Sequence, residues 1–393
     1  MGSEPSRGRP TSRRPRTVLE QQIREVRRES LHEFVRYAER FAREHGEVGT
    51  LSLRHLERLV SGRGPGGKPI SRPLPSTCRL LERIFGIPID ELLSPVTAPD
   101  QAETGETELR QMIRASGRVD GAVVRVLHEQ LNAIRALDRQ LGAVIAHEEV
   151  AVKVRQVGTL LRHSLMPNAR VRLGELLSEL CTLAGWQALD MGRTAQAWQY
   201  YERSKDAARE SCDPTFEAHA AAEQSFVLLE IGDTSSAVEL LAGTRARADH
   251  HAPRLLRAWL AAAHGEALAA DSQRTASLRA FDDAAALLPN QPGKPDGPYV
   301  VLDSVHLDRW RGHALARIGE PEAIGLLTSA LSRLDSTFAR AEAGLRIDLA
   351  AALINLSERD EAQRQIDRAR DIAAAIGSRR HERRLERISA GDR

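Results

Sequence analysis

The sequence has little from which to build a covalent or metal-held scaffold. Its three cysteines (Cys78, Cys181, Cys212) lie far apart in 393 residues, an odd number with neither disulfide-framework nor zinc spacing. They read as ordinary buried thiols of a reducing compartment. Aromatic residues make up only 4% of the chain, and no run approaches the roughly 18 uninterrupted apolar residues of a membrane helix, which excludes a bilayer span. The arginines of the amino end are not followed by the apolar stretch of a secretory signal, so a cytoplasmic protein is expected. β-Branched alternation is scarce, which argues against strand-rich domains. Lysine is nearly absent: Lys68, Lys153, Lys205 and Lys294 are the only four among 56 basic residues, and Arg supplies the rest.

What is present is helix-forming sequence, with apolar residues three and four apart almost continuously from Thr17 to Ile388. An all-α fold follows. Residues 1–16 are Pro, Gly, Ser and Arg without periodicity and read as a disordered basic tail. Glycine and proline break the pattern at 62–75, and 95–118 opens with linker composition. The chain therefore divides into a basic tail (1–16), a small helical domain (17–94), a linker (95–118) and a long helical domain (119–393). Residues 1–94 carry 18 Arg+Lys against 12 Asp+Glu, so the small domain is basic and the remainder mildly acidic. A basic head on an acidic body fits an anionic partner, nucleic acid before a membrane surface, the alternative being a merely solvated basic tail.

The long domain repeats itself. Aligned on the small residue that starts each second helix (Ala197, Ala237, Ala276, Ala323 and Ala362), its copies recur at intervals of 40, 39, 47 and 39 residues. A helical pair repeating at this length predicts a solenoid, because one hairpin cannot bury its own apolar face. Val119–Met166 precedes the copies. In it Val123, Val126, Leu127, Leu131, Ile134, Leu137 and Leu141 fall on one expected apolar face.

Enzyme motifs fail on inspection. Gly62 to Lys68 has the spacing of a phosphate-binding loop, but Pro69 stands where a hydroxyl must reach Mg²⁺ and a helical pattern precedes it where a strand is required. His147 has no second histidine in metal-ligand range, His250–His251 reads as a solvated turn, and no nucleophile has a credible base. No enzyme, cofactor or metal is expected.

The small domain carries a clearer pattern. Thr17–Glu29 predicts an amphipathic helix with Leu19, Ile23 and Val26 inward. Ser30 to Glu33 is a capping box opening a second helix. Ser52 is the expected N-cap of a short third helix that turns Leu53, Leu56 and Val60 inward and Arg54, His55, Arg58 and Ser61 outward. A fourth helix is expected from Pro75–Ser76, with Ser76 as cap, and a short fifth over Ile89–Leu93. This is helix-turn-helix logic, in which the third helix enters the major groove of double-stranded DNA. The candidate DNA contacts are Ser52, Arg54, His55, Arg58 and Ser61, with Arg63, Lys68 and Arg72 as backbone contacts.

The run from Thr50 to Leu93 resembles the XRE-type helix-turn-helix head of actinobacterial regulators. Thr50, Leu51, Ser52, Arg54, His55, Leu56, Arg58, Ser61 and Gly62 match the first half of that pattern, and Pro75, Thr77, Arg79, Leu81, Glu82, Phe85, Gly86, Pro88, Glu91, Leu92 and Leu93 the second. Leu59 stands where an aromatic is usual, and the glycine-rich insert after Gly62 is longer. The body, with Gly185, Gly192, Ala197 and Tyr201 at family-like positions, is similar to a degenerate tetratricopeptide repeat, its periods longer than usual and Trp186 displaced.

The resemblance implies a bacterial transcriptional regulator acting as a homodimer, in development or secondary metabolism, whose repeat domain senses a peptide or small molecule. The candidate effector residues are Gln187, Glu223, His264 and Arg309; Trp186, Trp259 and Trp310 read as core before ligand platform. The alternative is a protein-interaction scaffold without DNA binding.

Overall fold

A computed structural model describes residues 15–62, 72–95, 101–289 and 297–391. Among them every regular element is helical, the one bridge being the isolated pair Thr17–Pro95. None of these helices is long and apolar enough to cross a membrane. The chain forms two compact units, Met1–Thr107 and Glu108–Arg393.

The first unit holds α1 (Val18–Gln21), α2 (Leu31–Glu44), α3 (Leu53–Ser61), α4 (Pro75–Phe85) and α5 (Ile89–Leu92). The expected first helix does not run to Glu29. After α1 it widens into a π turn over Gln22–Val26, closed by the Arg27 N–H on the Gln22 carbonyl at 3.0 Å, and Arg28 turns left-handed. That turn buries Ile23 but leaves Val26 64% exposed, against the expectation of one continuous apolar face. The Ser30–Glu33 box forms at α2. α4 starts instead with Leu74 at the cap and Pro75 as its first residue, whose missing N–H costs nothing there, so Ser76 caps nothing. Leu19, Phe34, Leu51, Leu56, Leu59, Leu81 and Leu92 make the core, with Phe85 stacked on Phe34 at 5.3 Å. Leu59, at the aromatic position of the resemblance, is fully buried.

The stretch expected as a linker carries a helix, α6 (Gln101–Ser116), spanning the boundary between the units. Its acidic, glycine-containing start masks a helical pattern that Leu109, Met112 and Ile113 set further on.

The second unit is a succession of helices, each packed against its neighbours in sequence: α7 (Gly121–Leu141), α8 (Ala143–His163), α9 (Pro167–Asp190), α10 (Thr194–Ser211), α11 (Pro214–Ile231), α12 (Thr234–Ala248), α13 (Arg254–Ala270), α14 (Arg274–Leu287), α15 (Ser304–Ile318), α16 (Glu322–Arg333), α17 (Ala339–Asn355), α18 (Arg359–Ile376) and α19 (Arg379–Gly391). Three hairpins pack by a glycine on the first helix facing a large side chain on the second. A β-carbon on Gly185 would lie 2.8 Å from the Tyr201 ring, one on Gly265 2.7 Å from Phe281 and one on Gly312 2.6 Å from Leu327. The second helices bury a small–large pair four residues apart: Ala197/Tyr201, Ala237/Leu241, Ser277/Phe281, Ala323/Leu327 and Ala362/Ile366. The third copy is therefore in register at Ser277, not at the half-buried Ala276. Serine serves there because its hydroxyl donates to the Gly265 carbonyl at 2.7 Å. Of the cysteines, Cys78 and Cys181 are buried, whereas Cys212 is exposed at the left-handed end of α10.

The solenoid of this unit closes on itself. α17 and α18 reach α7, and α19 reaches α9. Gly142, in the turn between α7 and α8, abuts the Ile376 carbonyl so closely that a β-carbon would sit 2.2 Å from it. The Ser378 hydroxyl donates to Asp190 at 2.5 Å, and Arg380 pairs with Glu230 at 3.0 Å.

Candidate functional site

Two places in the chain gather side chains that its folding does not consume. In the first unit it is the outer face of α3. Ser52 caps that helix by accepting the His55 N–H at 3.3 Å, and Gly62 ends it in the left-handed region at φ 66°. Arg54 and Arg58, one turn apart, are exposed together with Glu57, while His55 is half-buried. The Ser61 hydroxyl donates to the Arg58 carbonyl at 2.9 Å. Arg72 is exposed and paired with Asp90 at 3.2 Å. Arg63 and Lys68 lie outside the described residues, as does the rest of the glycine-rich loop after Gly62.

In the second unit it is the axis of the closed solenoid. The odd-numbered helices α7 to α19 form its inner layer and, with the segment 299–301, enclose a cavity of about 340 Å³. One side is aromatic. Trp259 and Trp310 lie 5.8 Å apart, and Phe226 meets Trp186, Trp259 and Trp310 at 6.1, 6.3 and 5.9 Å. The tryptophans thus do both jobs that the sequence set against each other. They pack on the core cluster and present ring surface to the cavity.

The other side is charged, mostly as buried pairs. Arg135 meets Glu179 at 3.2 Å, Arg340 meets Asp138 at 2.8 Å, Arg380 meets Glu230, and Arg384 meets Asp348. His313 also holds Asp348 at 2.7 Å, and Arg384, with His313 beside it, keeps the Asp348 carboxyl well below the ordinary range despite its burial.

Four polar atoms of the lining stand out because no hydrogen-bond partner meets them: Arg139 Nε, Glu223 Oε2, His306 Nε2 and Arg309 Nε. Burial pushes the Glu223 carboxyl up to about 8, with Arg380 and the neighbouring Tyr201 hydroxyl opposing and Glu266 adding to the rise. Its nearest cationic candidate, His219 at 3.7 Å, is itself pushed down to about 3 by burial and so stays neutral. Burial also lowers Arg309. Its guanidinium stands 5.9 Å from the Trp310 ring.

Of the residues proposed from sequence for this unit, Glu223 and Arg309 reach the cavity. Gln187 does not. It is wholly buried between two helices, its amide donating to Asp138 at 3.0 Å and facing His147 at 3.2 Å. His264 also lies away from the cavity lining, accepting from Arg245 at 3.1 Å while burial holds it down at about 4. The arginines and acids on α7, α17 and α19 were missed. Their signal was a charged residue on the otherwise apolar face of an inner helix, as at Arg135, Asp138 and Asp348.

No protein-family model matches the sequence, and no curated protein matches it. Solved structures give likenesses of fold. A Rap protein complexed with competence and sporulation factor is 14% identical, matched over 88% of this chain and 97% of that one with a TM-score of 0.44. Nearly identical TPR-like repeats from Podosopora anserina are 16% identical over 49% of this chain and 93% of theirs, with a TM-score of 0.33. The chain itself is all-α, and its second unit is a tetratricopeptide-like helical solenoid.

Proposed function

We propose that the second unit is a receptor for a peptide or a partner's extended segment, anchored in the axial cavity. The observation that carries this reading is the cavity lining, where four buried polar atoms without partners sit beside a wall of four aromatic rings. Buried polar groups are ordinarily paired, and ones left unmet beside an aromatic-walled space are suited to a ligand that enters it. At about 340 Å³ the space suits an anchor group and not a folded domain. The test is affinity selection from a soluble library of random octapeptides on the full chain. Retention by the wild type and loss in Val300→Trp, which fills the lining at a half-buried position, is the expected result. Equal retention by both would sink the reading.

A second reading concerns the first unit and makes the protein a regulator. The capped α3 with Arg54 and Arg58 exposed is suited to a helix-turn-helix placed in the major groove of DNA, with two copies on paired half-sites. Selection of bound duplexes from a random pool, compared between the full chain and an Arg54→Ala/Arg58→Ala variant, tests it. A motif enriched equally by both would remove α3 from the interface, and no enrichment by either would leave the second unit's binding role alone.

A further inference from the structure

We infer that the anchor taken by the axial cavity is a carboxylate carried on an aromatic or branched apolar body, with its anionic group on Arg309 and its body against Trp259 and Trp310. This rests on the reading of the cavity as a receptor site and names the chemistry of what enters it.

The inference follows from which charges are already matched. Arg135, Arg340, Arg380 and Arg384 each hold a carboxylate of the wall. Arg309, also in the wall, has no carboxylate within ion-pair distance among the described residues, and its Nε donates to nothing. Arg309 is half-buried, and a guanidinium whose Nε is shut off from water with no anion beside it is costly to keep. The lining carries eight arginines against six acids, so the imbalance is positive. The two acids without a guanidinium face histidines instead, Glu223 at 3.7 Å from His219 and Glu266 at 3.6 Å from His313. Neither comes within ion-pair distance of Arg309, on which Glu266 acts only from further off.

Two features select within the anions. Glu266 and Asp348 act on Arg309 electrostatically without touching it, so a singly charged carboxylate, bound at the terminal nitrogens of the guanidinium, is accommodated where a dianion would be repelled. The neighbouring surface is aromatic, with Trp310 adjacent in sequence and Trp259 5.8 Å from it, so the carboxylate's body must be apolar. Two sources share this chemistry, a free organic acid and the carboxyl end of a peptide.

The cavity reports on itself. Of the four tryptophans only Trp198 lies away from it, so a Trp198→Phe full chain reads ligand entry by fluorescence. The probes are 3-phenylpropionate, 3-phenylpropanamide, phenylphosphonate, and N-acetyl-Leu-Phe with a free or an amidated carboxyl end. The expected result is that each acid binds more tightly than its amide, on the order of tenfold or more, because the amide lacks the charge that Arg309 is missing. Arg309→Gln should abolish that preference, and Arg309→Lys should keep part of it. Arg309→Gln should also melt no lower than the wild type, since it removes a half-buried charge that no ion pair holds; this separates loss of binding from loss of fold. Tighter binding of 3-phenylpropionate than of the dipeptide acid names a free acid as the source, and the reverse order names a peptide end. Equal binding of acid and amide, or tightest binding of phenylphosphonate, overturns the inference. If no probe binds while octapeptides are still retained by the wild type and lost in Val300→Trp, the carboxylate falls and the receptor stands. If octapeptides fail too, both fall.

Discussion

The Arg340 guanidinium on α17 lies 2.8 Å from Asp138 on α7 and 2.9 Å from Asp190 at the end of α9. One side chain thus fastens the last part of the solenoid to its first, across 202 residues of sequence in the case of Asp138. Coulombic attraction from the two carboxylates holds its proton more firmly than usual even though burial works the other way. Replacing it leaves two buried carboxylates without a cation, the situation that makes breaking a buried pair expensive. Arg340→Met should therefore cost about 3–5 kcal/mol, read from the urea transition of the repeat unit. Adding Asp138→Asn to Arg340→Met should recover part of that loss. A further drop would mean that the charge is not what is being missed.

The hairpins depend on close approach of backbone to ring. A β-carbon on Gly265 would be 2.7 Å from Phe281, which is fully buried and cannot yield. Gly265→Ala gains about 1 kcal/mol of helix propensity but must displace that ring, and overpacking of this kind costs about 1–3 kcal/mol. A net loss of stability is expected, relieved when Phe281→Leu makes room. Gly243→Ala is the control. Its β-carbon would meet only the mobile end of Arg247 at 3.5 Å, so the propensity gain should appear uncancelled. Thermal melts of the three variants check the set.

The repeat was legible because its small–large pairs are apolar and regularly spaced. The slip from Ser277 to Ala276 arose because a buried serine looks polar until its hydroxyl is seen to donate to Gly265. The cavity was the hidden part. On α7 the apolar periodicity found the buried Leu131 and Ile134 but also chose Val123, Val126, Leu137 and Leu141, which are exposed, while Arg135 and Asp138 are buried. Patterning assigns charge to solvent, and it misreads a helix whose inner face is buried through ion pairs with partners 44 and 202 residues away. Gln187 was chosen for the same reason in reverse, a polar residue taken for a binding group when it serves two buried neighbours.

The pH dependence of stability should carry the mark of Glu223. Its carboxyl is pushed up to about 8 in the fold from an ordinary 4.5, so between those values the folded state holds more proton than the unfolded one. Stability contributed in this way is full below about 4.5 and lost as pH rises through 8. His219, pushed down to about 3 from 6.5, acts oppositely: stability falls as pH drops below 6.5, because only the unfolded chain takes up the proton. Between about 6.5 and 8 the histidine contribution is flat and Glu223 acts against no opposing slope from it. The repeat unit should lose stability over that interval, and Glu223→Gln should flatten the loss. An unchanged slope in the variant would show that the carboxyl ionises freely through the cavity mouth.

In the first unit, stability and recognition should separate between neighbours on one helix. Ser52 caps α3 with its side chain, so Ser52→Ala should cost about 1 kcal/mol of that unit's stability. Arg54, two residues on, is exposed, and Arg54→Ala should leave the melt within about 0.5 kcal/mol of wild type. On a selected duplex the order should reverse for affinity. Arg54→Ala is expected to lose about 1–3 kcal/mol if it meets a base edge. If instead it meets only phosphate, the loss is the same on every sequence, and the slope of log affinity against log salt falls by about one. Measuring both variants on matched and scrambled duplexes at two salt concentrations distinguishes these cases. An Arg54→Ala protein that melts normally and binds both duplexes as the wild type does would take α3 out of any nucleic-acid interface, and the exposed arginines would then be a solvated face.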